Sequence, residues 1–437
     1  MNRWRIVLLS LLSAAAYYAI GYEIDRSNSV ALIGTFSLLF ILYFLFISKT
    51  KKKDFSFLIG WSIVFRLLFL ASIPLLSDDF FRFIWDGHLV NEGSSPFAKN
   101  PLEVQQQLPN KKLLLEGMNS PNYYSVYPPI AQYVFAISSA LFPKSLMANI
   151  FVMRSVLILA EIGTLALLPR LLSLLHLPKS KTLLYALNPL VIVEISGNLH
   201  FEGLMIFFLM LAILMLKLNR LGLAVIAWTM SAATKLIPLL FLPSLLSMMP
   251  LRRTLVFYVL FGIGFSFLWF PFVNLNLLYN YYESIQLYHA TFEFNASIYY
   301  LIRWVGFQFV GYNIIATAGS LLSKIALIGM ALILLIPLFR KQFNPYTALL
   351  LSITFYYALA LIVHPWYLCL LVFLSIFTRF HFAYVWSFLI LFSYTAYNNV
   401  NYEENFLLIG IEYLLTFGIL AFELYRNKGT FELNGKE

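Results

Sequence analysis

"VALIGTFSLLFILYFLFISKTKKK", residues 30–53, is an apolar run closed by four lysines, Lys49, Lys51, Lys52 and Lys53. A helix needs roughly 20 consecutive apolar residues to cross a bilayer core of about 30 Å. This run meets that length. Its lysines also give it a direction, because cytoplasmic loops collect Lys and Arg. The pattern is general: of 437 residues, 61% are hydrophobic and 11% charged, and mean hydropathy is +0.79. A soluble domain carries about 25% charged residues. The composition therefore excludes a soluble protein and predicts an all-α, polytopic membrane protein. The run at 5–22 resembles a signal peptide, but no small-residue cleavage site precedes "EIDRSNS", so it reads as a span. The single Cys369 excludes an internal disulfide and a Cys-based metal site.

Apolar runs place spans at about 5–22, 29–48, 56–76, 147–170, 181–197, 203–218, 221–234, 236–250, 254–272, 314–338, 345–363, 366–379, 382–397 and 405–424. This gives about fourteen transmembrane helices, within a range of 11 to 14. The implied organisation is two N-terminal helices in 1–54, a catalytic membrane domain in 55–424 with a long external loop at 77–146, and a cytoplasmic tail in 425–437. With the N-terminus in the cytoplasm, the cytoplasmic side receives nineteen of the thirty Lys and Arg. The external side receives about thirteen of the twenty acids. The net charge of +10 is thus topological and does not call for nucleic acid. The same charge rule decides "YPPIAQYVFAISSALFP", 127–143. Counted as a span, it would put Arg170, Lys179 and Lys181 outside, so it is expected to lie along the outer membrane surface.

The external segments hold the chemistry. "SDDFFRFIWDGHLVNEGSSPF", 77–97, sets Asp78 and Asp79 directly after an apolar run. An acidic pair in a helix's first turn is often a cap, with Ser77 the candidate here. Arg82 and Asp86, however, fall on one helical face with Asp79. A carboxylate near an arginine stays ionised and can serve as a general base on a hydroxyl. "SGNLHFEG", 196–203, adds Asn198, His200 and Glu202 at a hairpin tip, and "HPWY", 364–367, adds His364, Trp366 and Tyr367. Lys235 sits between two short apolar stretches, where a lysine is costly unless it faces water or an anion. Arg154 and Glu161 are intramembrane and are expected to pair with each other or through a neighbour. Arg303 lies at the external boundary. Cations facing a groove suit a lipid phosphate, and a carboxylate beside them suits deprotonating an acceptor.

These landmarks, in this order, together with "ALNPLVIVEISGNLHFEGLM", "ATKLIPLLFLP" and "HPWYL", resemble the GT-C class of membrane glycosyltransferases. The nearest group is the polyprenol-phosphate-mannose-dependent mannosyltransferases, over roughly 75–410. The resemblance implies an inverting hexosyl transfer, mannose favoured, from a polyprenyl-phosphate donor to a glycan, lipid or protein acceptor. It makes Asp79 the catalytic base, with Asp78 replacing or assisting it. Donor phosphate would meet Arg82, Lys235, Arg303 and His364. Substrate would meet Asp86, Tyr127, Gln132, Asn198, His200, Glu202, Trp366 and Tyr367. No metal or other cofactor is expected, the sugar lipid being a co-substrate. The partners expected are the bilayer, the donor and the acceptor. One departure is that two spans precede the one feeding the acidic loop, where the usual core has one. The expected location is the inner membrane, with both termini cytoplasmic and the site periplasmic. A lipid-linked sugar flippase and a glycan polymerase or ligase are the competing readings, although no inverted repeat supports transport.

Overall fold

The computed structural model describes residues 2–49, 51–399 and 401–427, leaving aside the side chains of 287–290. The tail expected at 425–437 lies mostly outside the described residues. Within them, regular structure is helical, and a single isolated bridge joins Phe294 to Ile362.

Helices α1 (Arg3–Tyr22) and α2 (Ser29–Lys49) form an N-terminal hairpin. Then come α3 (Phe55–Leu67), α4 (Asp79–Asn91), α5 (Lys111–Gly117), α6 (Pro129–Leu141) and the 29-residue α7 (Leu146–Leu174). Short α8 (Thr182–Ala186) and α9 (Pro189–Val191) lead through a π-helical stretch, Ile192–Gly197, into α10 (Glu202–Lys217) and α11 (Leu221–Ala232). Next are α12 (Ile237–Leu240), α13 (Leu245–Met248), α14 (Leu251–Trp269), α15 (Leu277–Ala290) and α16 (Ile298–Val310). The chain closes with α17 (Ile315–Phe339), α18 (Pro345–Leu359), α19 (Leu368–Ser375), α20 (Phe382–Leu389) and α21 (Phe406–Arg426).

Among the described residues, six helices are long and apolar enough to cross a membrane, or seven if the bent pair Pro189–Gly197 and Glu202–Lys217 is one span. The sequence reading expected about fourteen spans, a count that these helices do not confirm. Several of the apolar runs are broken, some of them at proline. α3 stops at Leu67 instead of running to 76, and a stretch of turns follows it to Leu76. Pro238 and Pro243 fall inside the run at 236–250, which appears as α12, a 3₁₀ turn and α13. The run at 181–197 breaks before Pro189, and its continuation turns through 112° into α10. At the tip of that bend Leu199 has φ +63°, a left-handed conformation uncommon for a residue with a side chain. The segment at 127–143 forms α6, thirteen residues long and too short to span, packed on α4 and α7. Gly87 makes the α4–α6 approach possible, since a Cβ there would lie 2.3 Å from the Phe135 carbonyl oxygen.

The buried charges of α3 and α7 have tertiary partners. Arg66 and Glu161, both 0% exposed, pair at 2.9 Å. Tyr185 donates its hydroxyl to the same carboxylate at 2.6 Å, and Arg66 also donates to the Ala186 carbonyl at 2.8 Å. The expected pairing of Arg154 with Glu161 is therefore corrected. Seven residues on one helix span about 10 Å of axis, too far for contact. Arg154 instead donates to the carbonyls of Leu70, Ser72, Ser196 (2.7 Å) and Gly197 (2.8 Å). Those carbonyls lie in the two segments where helices break, so one guanidinium satisfies backbone groups that lipid could not. Cys369 is fully buried in α19.

Removing one member of a buried pair costs about 3–5 kcal/mol, whereas a well-packed apolar replacement of both is often neutral. Arg66→Ala is therefore expected to cut the thermal stability of the detergent-purified protein severely. Arg66→Met combined with Glu161→Leu is expected to regain most of it. A mild effect of Arg66→Ala on the melting temperature would contradict this account.

Candidate active site

α4 begins at Asp79, with the Ser77 hydroxyl 3.4 Å from the Asp79 amide. The paired acids then part company. Asp78 meets Arg26 at 2.5 Å, from the turn between α1 and α2. Burial works against the Arg26 charge, but the Asp78 carboxylate together with Tyr397 and Tyr402 more than offsets it and lifts the guanidinium above its usual pKa. Arg26 also sits 4.9 Å over the Tyr397 ring. Asp79 has neutral partners: Asn119 donates to it at 3.2 Å and the Tyr127 hydroxyl at 3.3 Å. It is half-buried, so one carboxylate is ion-paired and its neighbour, held by neutral donors, is partly exposed.

Arg82 and Asp86 do share a face of α4, but they turn inward. Arg82 Nε donates to Asp86 at 2.7 Å, and its Nη1 donates to the Ser120 and Tyr123 carbonyls at 3.0 and 2.8 Å. Asp86, 0% exposed, also accepts from Ser125 at 2.5 Å and from Gln132 at 3.0 Å. Arg82, Asp86 and Gln132 thus form a buried brace that ties α4 to the loop 118–128 and to α6. That same loop carries Asn119 and Tyr127 to Asp79.

A second polar cluster forms at the 112° bend. Glu194 lies 3.0 Å from His200 Nδ1, accepts from Asn198 at 3.1 Å and from the Tyr394 hydroxyl at 2.6 Å. Trp366 is sandwiched between His200 (3.9 Å) and His364 (4.3 Å). Glu202 pairs with Lys235. Several buried polar atoms here have no partner in hydrogen-bonding geometry: both His200 ring nitrogens, His364 Nδ1 and Glu202 Oε2. Tyr367 meets the His364 and Trp366 rings edge to face at 5.5 and 5.9 Å and stacks at 5.7 Å on Tyr357.

The two clusters adjoin. The Ile130 amide of α6 donates to the Ala233 carbonyl at 2.8 Å, two residues before Lys235. Phe83 touches both Tyr127 (4.9 Å) and Phe201 (5.5 Å). Tyr397 is within electrostatic reach of Asp78, Asp79 and Arg26, and packs 6.0 Å from Tyr394. Phe294 joins the ring at 4.9 Å from His364, held by main-chain bonds to Leu361 and Val363. Arg303 stands apart, paired with Glu293 and lying over Tyr300 and Phe406. A cavity of about 390 Å³, lined by Lys217, Asn219 and Arg253, lies at the far end of α10 and is separate from this site.

Sequence reasoning did not single out Arg26, Asn119, Tyr394 or Tyr397. Arg26 carried one usable signal, as a lone cation in the external turn "EIDRSNS". Among the described residues, no group of three or more His, Cys, Asp or Glu is arranged to hold a metal ion.

Long apolar helices that converge on a reachable carboxylate and a polar hairpin define a helical membrane enzyme. The chain belongs to the MptA_B family: residues 11–251, more than half of its length, match the family model described as "Alpha-(1->6)-mannopyranosyltransferase, N-terminal domain". It is a mannosyl-transferring glycosyltransferase. The match begins inside α1, so it includes the second half of that helix, the turn that follows and α2. No curated protein and no solved structure matches the chain.

His364 lies in the link between α18 and the turn Pro365–Tyr367. Burial, and then His200 and Lys235, lower its pKa to about 3. It is therefore neutral above that pH and has no charge to lose between pH 5 and 8. His364→Gln is expected to lower activity without moving the acidic limb of the pH–rate profile. A displaced limb would show that His364 titrates in that range.

Proposed function

We propose that this mannosyltransferase has a GT-C-like architecture and moves mannose from a polyprenyl-phosphate carrier to an acceptor hydroxyl on the external face of the inner membrane. Asp79 acts as the general base. The observation that carries this reading is the division of labour in the acidic pair: Asp78 is neutralised by Arg26, whereas Asp79 is held by an amide and a phenol and stays reachable. A base must be unpaired enough to take a proton and fixed enough to aim at it.

In the proposed step Asp79 takes the acceptor proton as the hydroxyl oxygen bonds to the anomeric carbon. The bond from that carbon to the phosphate oxygen breaks, and the electron pair leaves with the polyprenyl phosphate. The leaving group is already a stable anion, so no protein acid is required. Displacement from the opposite side inverts the anomeric centre. An α product, as in the family description, then calls for a β-linked donor. Lys235, beside the hairpin and 19% exposed, is the cation best placed to meet the phosphate. His200, His364 and Glu202 offer unpartnered buried atoms to sugar hydroxyls. Arg82, Asp86 and Gln132 support the loop that holds Asp79 and make no substrate contact in this reading. Arg303 steadies the segment carrying Phe294. The external orientation draws on the lysines that close α2 and on the acids beyond α3.

The test is transfer of labelled mannose from a synthetic polyprenyl-phosphate donor to extracted membrane acceptors by the purified enzyme. General-base catalysis contributes about 10²–10⁴-fold. Asp79→Asn is expected to lose activity on that scale while retaining donor binding, and Asp78→Asn to remain active near neutral pH. Equal losses in both variants, or an active Asp79→Asn, would refute Asp79 as the base. Failure with every polyprenyl-phosphate sugar would refute the donor.

A further inference from the structure

The turn between α1 and α2 reaches the acidic site from 52 residues upstream, through Arg26 to Asp78. Its placement is over-determined. Tyr22 donates to the Leu68 carbonyl at 2.8 Å, and the Ser29 amide donates to Asn398 at 3.3 Å. Within the turn, the Ser27 amide bonds Asp25 at 2.8 Å, which keeps that carboxylate occupied. Tyr397 and Tyr402 are both within electrostatic reach of Arg26, and their rings meet edge to face at 5.6 Å. The Arg26–Asp78 pair is half-buried, its side chains 21% and 32% exposed. Its effect lies in the charge it sets beside Asp79.

We propose that Arg26 is a positioning residue of the active site: by neutralising Asp78 it leaves Asp79 as the one carboxylate free to act. The proposal rests on the reading of Asp79 as the base. Two adjacent carboxylates disfavour each other's ionisation, and a cation on one of them removes that opposition. The other groups facing Asp79 do not supply the cation. Tyr127 and Asn119 are neutral, Tyr397 is a phenol, and Arg82 is turned inward to Asp86. The N-terminal hairpin is thereby part of the catalytic unit.

The experiment is the pH–rate profile of mannosyl transfer by the full-length enzyme, using labelled polyprenyl-phosphate mannose. Arg26→Gln leaves the Asp78 charge unopposed, so the acidic limb is expected to move up by about one pH unit, a tenfold loss below the limb. Arg26→Lys is expected to hold the limb near its original position. Asp78→Asn leaves Arg26 unopposed, so the limb is expected to move down. Arg26→Gln combined with Asp78→Asn is expected to return it close to wild type. A purely structural contact would move no limb and would give no recovery in the double variant. Either result overturns the proposal, as does a downward or absent shift in Arg26→Gln. If Arg26→Gln fails to fold, the direction of the Asp78→Asn shift decides alone. Full activity in Asp79→Asn would instead sink the base reading, whatever the Arg26 variants do.

Discussion

Lipid cannot hydrogen-bond a broken helix, and this chain breaks its helices at the places that lead into the site. Arg154 resolves the conflict. Its guanidinium takes carbonyls from 70–72, where the chain has left α3, and from Ser196 and Gly197, at the close of the π-helical stretch. A cation at the carbonyl end of a helix is also favoured by the helix dipole. The segment after the first break delivers Asp78 and Asp79. The segment after the second delivers Asn198, His200 and Glu202. One buried arginine thus fixes the spacing between the carboxylate and the polar hairpin.

Around that anchor the site is assembled as nested supports. The Arg82–Asp86–Gln132 brace is sealed from solvent and shapes the loop that presents Asn119 and Tyr127. α6 joins the brace to the Lys235 segment through one main-chain bond, Ile130 to Ala233. Phe294, Trp366 and Tyr397 close the ring with aromatic contacts, which are rigid and tolerate a wet edge. Groups that could meet substrate are held by others that could not.

Much of the fold was legible because lipid imposes a simple code. Apolar runs marked the helices, and the failure of 127–143 to satisfy the charge rule separated α6 from the spans. The acidic pair stood out because it directly follows an apolar run, and "SGNLHFEG" for its polar tip. What was not legible is partner choice. Arg303 was read as a boundary cation, yet it is committed to Glu293 by packing that no local pattern encodes. Arg154 and Glu161 share a helix but answer to different elements. Asp78 could not be told from Asp79 without Arg26, because the contact spans 52 residues. Where the apolar runs break was less legible for a related reason: hydropathy sees composition, whereas Pro189, Pro238 and Pro243 act on backbone geometry.

Cys369 has a practical consequence. It is the sole thiol in the chain and lies fully buried in the core of α19. Water-soluble maleimides react with thiolates that water can reach. The native chain is therefore silent towards such reagents, and a cysteine introduced at an exposed position reports alone. Labelling intact cells through single exposed cysteines would read out, element by element, which ends of the bundle face the outside, with no need to remove the native thiol first.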